Sequence, residues 1–464
     1  MSESKLPIEV AHLIGIGGSG MSGLARFLHG MGVKVSGSDH VDSDCLEELR
    51  ELGIEVFLGH SAKSVNLKGF EKGWVVRSAA IPEDNPELVR AREKGLPCFL
   101  YAEAVGKLSE GLRTLAVAGT HGKTSTTALC VSALRAAGLD PSYLIGGQVP
   151  GFGGNGRAGS GDLFVVEACE FNRSFHALRP THAAILNLDP DHFDCYPEWR
   201  DLEIAFAGYA QSLPPGGRLF VHEDLSQRVL DAIPGDTDVC RIGSGLFADL
   251  RAIEVEEEKG CFSFTPMHHN ERYPRVRLQL AGGFQVLNAL FALGLAMAAG
   301  ADPEKAALGL SSFAGVNRRF QIHTGPQGGK LVDDYAHHPA EIVAVLRAAR
   351  QAFPGRKLVV GFQAHQYSRT KNLLDEFAQA LALADHSIIA EIYPAREDPT
   401  LDHGVDGRSL AEAVREAGGK AEYGGSPLDL ADRLLPHLEA SDAVPLILGA
   451  GELDGLVQEL VRRI

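Results

Sequence analysis

Residues 118–127 read AGTHGKTSTT and directly follow the apolar run Thr114–Ala118. The run predicts a buried strand, the glycines predict a tight turn, and Ser125–Ala137 is typical of a helix. A strand, a glycine-rich turn and a helix in this order direct backbone N–H groups and the positive end of the helix at one point, where a phosphate group can bind. Lys123 can reach the outer phosphates of a nucleotide, and the Thr124 hydroxyl can bind Mg²⁺.

This turn departs from the usual P-loop pattern in one respect. The pattern has its first glycine where Val117 stands here, so the turn is a shortened variant. We expect phosphate contacts along the turn, from Gly119, Thr120, His121, Gly122, Lys123, Thr124 and Ser125. The alternative is a glycine-rich turn with an unrelated lysine, but the strand before it and the helix after it favour the phosphate site.

The composition bounds the class of protein. Of the 464 residues, 45% are hydrophobic and 22% are charged, which is typical of a soluble globular protein of roughly three domains. The net charge of −16 argues against nucleic acid or an anionic membrane as the main partner. Seven cysteines without a CxxC pair indicate a reducing cytoplasm. Met1–Glu9 lacks the pattern of a secretion signal, and no apolar run of about 18 residues could span a bilayer.

A second glycine signature opens the chain. The apolar stretch Val10–Ile16 runs into GIGGSG at residues 15–20, and a helix-like stretch, a short strand and Asp39 follow. This order is typical of a nucleotide-binding βαβ unit, in which an acidic side chain meets a ribose. The candidate residues are Gly15, Gly17, Gly18, Gly20 and Asp39. Alternatively, the glycines only allow the helix and strand to pack closely.

Two later segments place side chains that can bind a metal after apolar runs. Glu167 lies in VVEACE at residues 165–170, and His192 ends ILNLDPDH at residues 185–192. The carboxyl ends of parallel strands meet at one edge of a sheet, so we expect both residues beside Thr124 as Mg²⁺ ligands. For His192, a capping or solvent-facing role is an equally good interpretation.

The alternation of strands and helices restarts twice, near Thr114 and near Ile322. We therefore predict an α/β protein with three domains: a Rossmann-like N-terminal domain at residues 1–110, a central P-loop ATPase domain at 111–321 and a C-terminal Rossmann-like, doubly wound domain at 322–464. The charged, turn-rich residues 214–280 predict antiparallel additions to the central domain.

Polar side chains crowd the border and the strand ends of the third domain. They lie in NRRF at residues 317–320, DDYAHHP at 333–339 and FQAHQYSRT at 362–370. A surface loop without function less often combines Asp, His, Tyr and Arg, although purely structural roles remain an alternative. No His/Cys spacing fits a closed zinc site.

Together, these motifs resemble the Mur ligases, ATP-dependent enzymes that form amide bonds in peptidoglycan precursors. The resemblance covers the whole chain in matching order and includes Asn288-Ala289 and Arg319-Phe320. It implies that the first domain binds a UDP-sugar, the central domain binds ATP and Mg²⁺, and the third closes over ATP and the amino acid.

The resemblance also implies a role for each candidate residue. Lys123 neutralises the transferring phosphoryl group, and the metal ligands are Thr124, Glu167 and His192. The further nucleotide contacts are Asn288, Arg319 and Asp334. Ser38 and Asp39 lie near the uridine. The candidates around the amino acid or the phosphates are His337, His338, His365 and Arg369.

Within the family, GIGGSGMSG at residues 15–23 and FQAHQYSRT are most similar to members that join L-alanine to the lactyl carboxylate of UDP-N-acetylmuramate through an acyl phosphate. The absence of a lysine from residues 193–217, which other members modify to a carbamate, also resembles them. The nearest alternative is a member that attaches a ready-made tripeptide. An NAD-dependent oxidoreductase leaves Lys123 and Thr124 unexplained, and a non-enzymatic nucleotide-binding regulator leaves the retained Lys, Glu and His unexplained. The expected assembly is a monomer or homodimer.

Three positions depart from the family pattern. Phe284-Gln285 replaces a His-Asn pair near the adenine, Cys169 replaces an acidic residue common in relatives, and Ala336 replaces a common glycine. The first departure puts base recognition at that point in doubt and makes Asn288 the better candidate.

Overall fold

The structure is a computed structural model that describes residues 8–65, 72–325, 328–440, 442–451 and 453–463. Residues 1–7, part of the segment tested for a secretion signal, lie outside the described residues. Three β-sheets follow one another along the chain, each flanked by helices. The predicted α/β class with three sheet-based domains is confirmed, whereas the exact boundaries at 110 and 321 stay a prediction.

The first sheet has the strand order β3-β2-β1-β4-β5, with every pair parallel. Its strands are β1 (Val10–Ile14), β2 (Lys34–Asp39), β3 (Glu55–Leu58), β4 (Gly73–Arg77) and β5 (Cys98–Leu100). Its helices are α1 (Ser19–Gly30), α2 (Asp44–Glu51), α3 (Pro86–Glu93) and α4 (Tyr101–Ser109). This order is Rossmann-like, and it places the first glycine loop at the carboxyl end of β1.

The second sheet carries the phosphate turn. Its first strands are β6 (Arg113–Ala118), β7 (Ser142–Leu144), β8 (Gly156–Arg157), β9 (Leu163–Glu167), β10 (His182–Ile185), β11 (Arg218–His222) and β12 (Asp238–Gly243). The remaining strands are β13 (Leu250–Glu258), β14 (Cys261–His268), β15 (Glu271–Arg272) and β16 (Val276–Ala281). Its helices are α5 (Lys123–Ala136), α6 (Trp199–Ala210), α7 (Gln227–Asp231), α8 (Phe284–Ala298) and α9 (Pro303–Ser312).

The prediction of antiparallel additions across residues 214–280 is wrong for the first half of that range. β11 and β12 extend the parallel sheet from β10, and β13 pairs in parallel with β12. Antiparallel pairing begins only between β13 and β14. The apolar runs of β11 and β12 are short and are flanked by charged and turn residues. The sequence therefore did not show that these two strands are buried and parallel.

The third sheet has the order β17-β18-β22-β19-β20-β21 and is parallel except for the first pair. Its strands are β17 (Gln321–Thr324), β18 (Lys330–Asp334), β19 (Lys357–Phe362), β20 (His386–Ala390), β21 (Ala421–Gly425) and β22 (Ala443–Leu448). Its helices are α10 (Pro339–Ala352), α11 (Tyr367–Asn372), α12 (Leu374–Leu381), α13 (Gly407–Glu416), α14 (Pro427–Glu439) and α15 (Asp454–Arg463).

Two further findings bear on the sequence-based expectations. All seven cysteines are free thiols, which agrees with the absence of a disulfide framework in the sequence. Along the described part of the chain, no helix is both long and apolar enough to cross a membrane.

Candidate active site

The phosphate turn lies at the carboxyl end of β6, between the ends of β9 and β10, because the sheet order places these three strands side by side. Gly122 caps the N-terminus of α5 with a φ of 82°, a left-handed conformation that favours glycine. A Cβ at this position would lie 2.7 Å from the Asn288 Oδ1 atom. The turn therefore needs glycine both for its backbone conformation and for its close approach to α8.

Lys123 lies half-buried at the centre of a charge cluster. Its Nζ atom donates to the carbonyl oxygens of Gly119 and Thr120, and it forms an ion pair of 2.9 Å with Glu170. The His192 Nε2 atom lies 3.3 Å from the same carboxylate. Burial opposes the charge on Glu170, but Lys123 and His192 hold the pKa of Glu170 below its usual value. The cluster thus pairs the phosphate-turn lysine with a fixed anion.

Glu167 lies on the other side of the turn. The Thr124 hydroxyl donates to its carboxylate over 3.2 Å, and the Gly146 N–H donates to its second oxygen. Burial raises the pKa of Glu167. The structure therefore brings Glu167 to Thr124, whereas His192 contacts Glu170, the partner of Lys123. The roles of Glu167 and His192 as metal ligands stay a prediction.

The described residues contain no group of three or more His, Cys, Asp and Glu side chains arranged to hold a metal ion. Two features still fit a hard cation. Thr124 and Glu167 present neighbouring oxygen atoms, and the Nδ1 atom of His192 is buried without a hydrogen-bond partner in the described chain. Such a donor set suits Mg²⁺ that is bound mainly through phosphate oxygens and water.

Arg369 connects the third sheet unit to the second. This side chain is 2% exposed, and its Nε atom donates to the Asp191 carboxylate over 2.7 Å. Its Nη1 atom donates to the His365 carbonyl oxygen and lies 3.1 Å from His365 Nδ1. Burial would raise the pKa of Asp191, but Arg369 holds it far below its usual value. Burial lowers the pKa of His365 to about 3, so the ring is neutral at pH 7.

Two further histidines of the third unit lie near the same boundary. His338 caps α10, and its Nε2 atom lies 3.1 Å from the Pro190 carbonyl oxygen of the second unit. The His337 Nδ1 atom lies 2.9 Å from the Tyr335 carbonyl oxygen. Burial lowers the pKa of His337 to about 4. Both rings belong to the surface that faces the phosphate turn.

Asp334 is buried at the end of β18, where it accepts hydrogen bonds from the N–H groups of Phe320 and Ala336 at 2.6 and 2.7 Å. Burial raises the pKa of Asp334 to about 6, against the opposing charge of Arg319. Phe320 and its neighbour Arg318 have left-handed backbones, with φ values of 49° and 58°. This backbone strain at the border of the two units is typical of functional segments.

A cavity of about 260 Å³ opens beside the phosphate turn, between the second and third units. Apolar walls come from Phe284, Leu287 and Phe291, and the Asn288 amide donates to the Gln285 amide oxygen over 3.0 Å. The polar lining also includes His121, Ser125, Asn187, His222, Arg319, Asp334 and Glu341. Phe284 and Gln285, where the sequence departs from its relatives, thus lie in the wall of this cavity.

A second cavity, of about 320 Å³, lies between the first and second units. Gly18 and Gly20 of the first glycine loop line one side, and Glu167 and Cys169 line the other. Tyr101 packs against the loop, because a Cβ at Gly20 would lie 3.0 Å from its ring. The cavity therefore joins the first glycine loop to the edge of the phosphate site.

The structure places Asp39 at the glycine loop, where its carboxylate accepts a hydrogen bond of 2.9 Å from the Gly17 N–H. Gly15 has a φ of 81° at the start of the same loop. Ser38 differs from the expectation, since it is fully buried and its hydroxyl donates to Glu87 over 2.6 Å. Its side chain is used inside the first unit, while Asp39 lies at the loop surface.

Sequence reasoning did not select three residues of the site. Glu170 stands in the quoted VVEACE segment, and its signal was a second carboxylate close to the end of a buried strand. Glu341 follows the DDYAHHP run in the first turn of α10. An acidic residue at that position is common without any functional role, because it stabilises the helix dipole. Tyr101 begins α4 and belongs to none of the sequence motifs.

The fold and the site define an ATP-dependent ligase: a phosphate turn in the central unit, a glycine loop on one side and a polar closing surface on the other. Family models agree along the chain: Mur ligase family, catalytic domain, matches residues 10–113, the Mur ligase middle domain matches 117–296, and the Mur ligase glutamate ligase domain matches 318–451. The chain belongs to the Mur ligase family.

Individual relatives align with this chain over nearly their whole length. A UDP-N-acetylmuramate--L-alanine ligase of Laribacter hongkongensis is 41% identical, with 95% of each chain aligned. One from Neisseria gonorrhoeae is 40% identical over 97% of each chain. Among solved structures, a UDP-N-acetylmuramate-alanine ligase from Thermotoga maritima covers 98% of both chains with a TM-score of 0.80 and 27% identity. A murein peptide ligase from Psychrobacter arcticus, at 24% identity and a TM-score of 0.71, shares the fold.

Proposed function

We propose that this protein joins L-alanine to the lactyl carboxylate of UDP-N-acetylmuramate at the expense of ATP, in peptidoglycan precursor synthesis. One observation carries the proposal: the edge of the phosphate turn forms the wall between two cavities. Glu167 lines the cavity of the first glycine loop and accepts a hydrogen bond from Thr124 of the phosphate turn. A carboxylate substrate in that cavity would lie beside the terminal phosphate of ATP.

We assign the cavity of about 260 Å³ to ATP. The Gln285 and Asn288 amides offer a polar edge to the adenine, and Phe284 with Leu287 offers an apolar wall. The phosphates extend from there along the turn, where backbone N–H groups and the N-terminus of α5 attract negative charge. Arg319 and Asp334 reach the nucleotide from the third unit.

The cavity of about 320 Å³ is assigned to the sugar and its lactyl group. The glycines of the first loop, Gly15 to Gly20, allow the UDP phosphates to approach the backbone, and Asp39 anchors the loop through Gly17. The uridine end of the ligand is expected near Asp39. Ser38 supports this loop from inside, through its hydrogen bond to Glu87.

The reaction has two displacements. A lactyl carboxylate oxygen attacks the γ-phosphorus of ATP, and ADP leaves, which gives an acyl phosphate. The alanine amine then attacks the carbonyl carbon, and the amide forms as the amine loses a proton and phosphate leaves with the carboxylate oxygen. Lys123 holds the γ-phosphoryl group and compensates its developing charge, so catalysis consists mostly of positioning and charge neutralisation.

The third unit would present the amino acid to the acyl phosphate. Its charged candidate is Arg369, and its neutral rings are His337, His338 and His365. Low pKa values keep His337 and His365 unprotonated at neutral pH, so neither ring places a positive charge beside the alanine ammonium group. Mg²⁺ would be held by Thr124, Glu167 and His192, and when bound it neutralises charge on the phosphates. The nucleotide substrates and free thiols suit the reducing cytoplasm.

The test is ADP release from ATP with UDP-N-acetylmuramate and a panel of L-alanine, L-serine, glycine and the ready-made tripeptide. We expect release only when the UDP-sugar and a single amino acid are both present. Selection among the three amino acids is expected to be modest, because one methyl or hydroxyl group contributes little to pocket discrimination. Faster turnover with the tripeptide would make this protein a recycling ligase, and ADP release without any UDP-sugar would contradict the ligase assignment.

A further inference from the structure

Glu341 of α10 makes contacts on both sides of the boundary between the second and third units. Its Oε1 atom lies 3.0 Å from the His121 Nδ1 atom in the phosphate turn. Its Oε2 atom accepts a hydrogen bond of 3.0 Å from the His337 N–H. A single carboxylate of the third unit therefore binds the nucleotide turn and the first histidine of the DDYAHHP run.

Both the backbone and the ring of His121 have close neighbours. Its backbone N–H donates to the Asn187 side-chain oxygen over 2.8 Å, and its Nε2 atom lies 3.2 Å from the Asp189 carboxylate. The His338 ring lies 4.7 Å away, centroid to centroid. Burial opposes a charge on His121, but Asp189 and Glu341 raise its pKa to about 9. The ring is therefore an imidazolium at neutral pH.

The two carboxylates differ in where they come from. Asp189 belongs to the second unit, like the phosphate turn, so it stays beside His121 whatever the third unit does. Glu341 belongs to the third unit. Although burial opposes its charge, the neighbouring His121 and Arg319 and the hydrogen bond from the His337 N–H keep the pKa of Glu341 well below its usual value. Of the two carboxylates, Glu341 is the one that makes the state of the turn depend on the docking of the third unit.

Building on the function proposed above, we propose that Glu341 is a positioning residue for ATP: it holds the His121 side chain in the wall of the nucleotide cavity when the third unit docks. Both side chains line that cavity. Docking thereby fixes a further cation near the phosphates, besides Lys123 and Arg319. Nucleotide binding and docking of the third unit then favour each other.

The kinetic test compares Glu341→Gln, His121→Asn and the double variant in the ligase assay. A charge-assisted contact of this kind is worth roughly tenfold or more, so each single variant is expected to lower kcat/KM for ATP by about that factor. The double variant is expected to be no worse than His121→Asn alone, because the two residues act as one unit. Independent, multiplied losses would contradict the proposal.

A second measurement does not depend on activity. The full-length protein is labelled at histidine, and the imidazole signals are followed by NMR as the pH changes. The His121 signal is assigned as the one that is missing in His121→Asn. Removal of a carboxylate at this distance is expected to lower the pKa of His121 by about 1–3 units in Glu341→Gln, while the exposed control Glu376→Gln leaves it unchanged. An unchanged His121 titration in Glu341→Gln would overturn the proposal.

The two measurements separate the possible failures. If the unaltered protein has no ligase activity, the proposed function fails and the titration still decides the role of Glu341. If Glu341→Gln does not fold, Glu341→Asp keeps the charge and withdraws it by one methylene. We then expect a smaller fall in the pKa of His121, and no fall at all would refute the proposal.

Discussion

In the proposed function, Lys123 contacts two anionic groups: the γ-phosphoryl group of ATP and the carboxylate of Glu170. In Lys123→Ala, the preorganised cation at the transferring phosphoryl group disappears, and kcat is expected to fall roughly 10²–10³-fold. The same change leaves Glu170 buried with the His192 ring as its remaining side-chain neighbour, 3.3 Å away. Breaking a buried pair on one side costs about 3–5 kcal/mol, so the free energy of unfolding is expected to fall as well. A lysine that faced only phosphate would leave stability unchanged.

The two effects can be separated with Lys123→Met combined with Glu170→Gln. This double variant removes both charges and keeps the packing volume, so denaturant unfolding should return to near the original stability. Turnover, followed as ADP release, should stay as low as in Lys123→Ala. If the double variant recovers activity, or if Lys123→Ala keeps near-normal kcat, the assignment of Lys123 to the phosphoryl group is wrong.

Three further predictions follow from the geometry. Glu167→Gln and His192→Ala should each raise the Mg²⁺ concentration for half-maximal rate, and an unchanged Mg²⁺ dependence in both would remove them as ligands. Arg369→Ala should lower the free energy of unfolding by about 3–5 kcal/mol, because it leaves the Asp191 carboxylate, which is only 6% exposed, without its ion-pair partner. An unchanged free energy of unfolding in urea would refute that. The pKa of His337 is about 4 in the folded protein, below its ordinary 6.5. As pH falls from 6.5 to 4, the unfolded chain therefore binds a proton that the folded protein does not, and the free energy of unfolding falls. The unfolding free energy of His337→Asn should fall less between pH 6.5 and 4 than that of the unaltered protein, and parallel curves would contradict this.

The sequence predicted those parts of the site that depend on local order along the chain. A strand, a turn and a helix around residues 119–124 predicted the phosphate turn, because that geometry is made by neighbouring residues. Glu167 and His192 came to the same edge because parallel strands place their carboxyl ends together. The whole-chain resemblance then fixed the order of the three units.

The remaining features depend on contacts between distant residues, which periodicity does not report. Glu170 and Glu341 are far along the chain from their partners Lys123 and His121. In the sequence alone, each therefore looks like an ordinary charged residue at the surface or at a helix end. Ser38 was expected at the ligand, whereas its hydroxyl is buried on Glu87.

Oxygen transfer from the substrate carboxylate tests the central claim most directly. UDP-N-acetylmuramate labelled with oxygen-18 in its lactyl carboxylate is incubated with ATP, L-alanine and the protein, and the released phosphate is analysed by mass spectrometry. The acyl-phosphate route predicts one labelled oxygen in each phosphate released, with none in ADP. Amide product that forms with no label in the phosphate would contradict the route and the arrangement of the two cavities on which it rests.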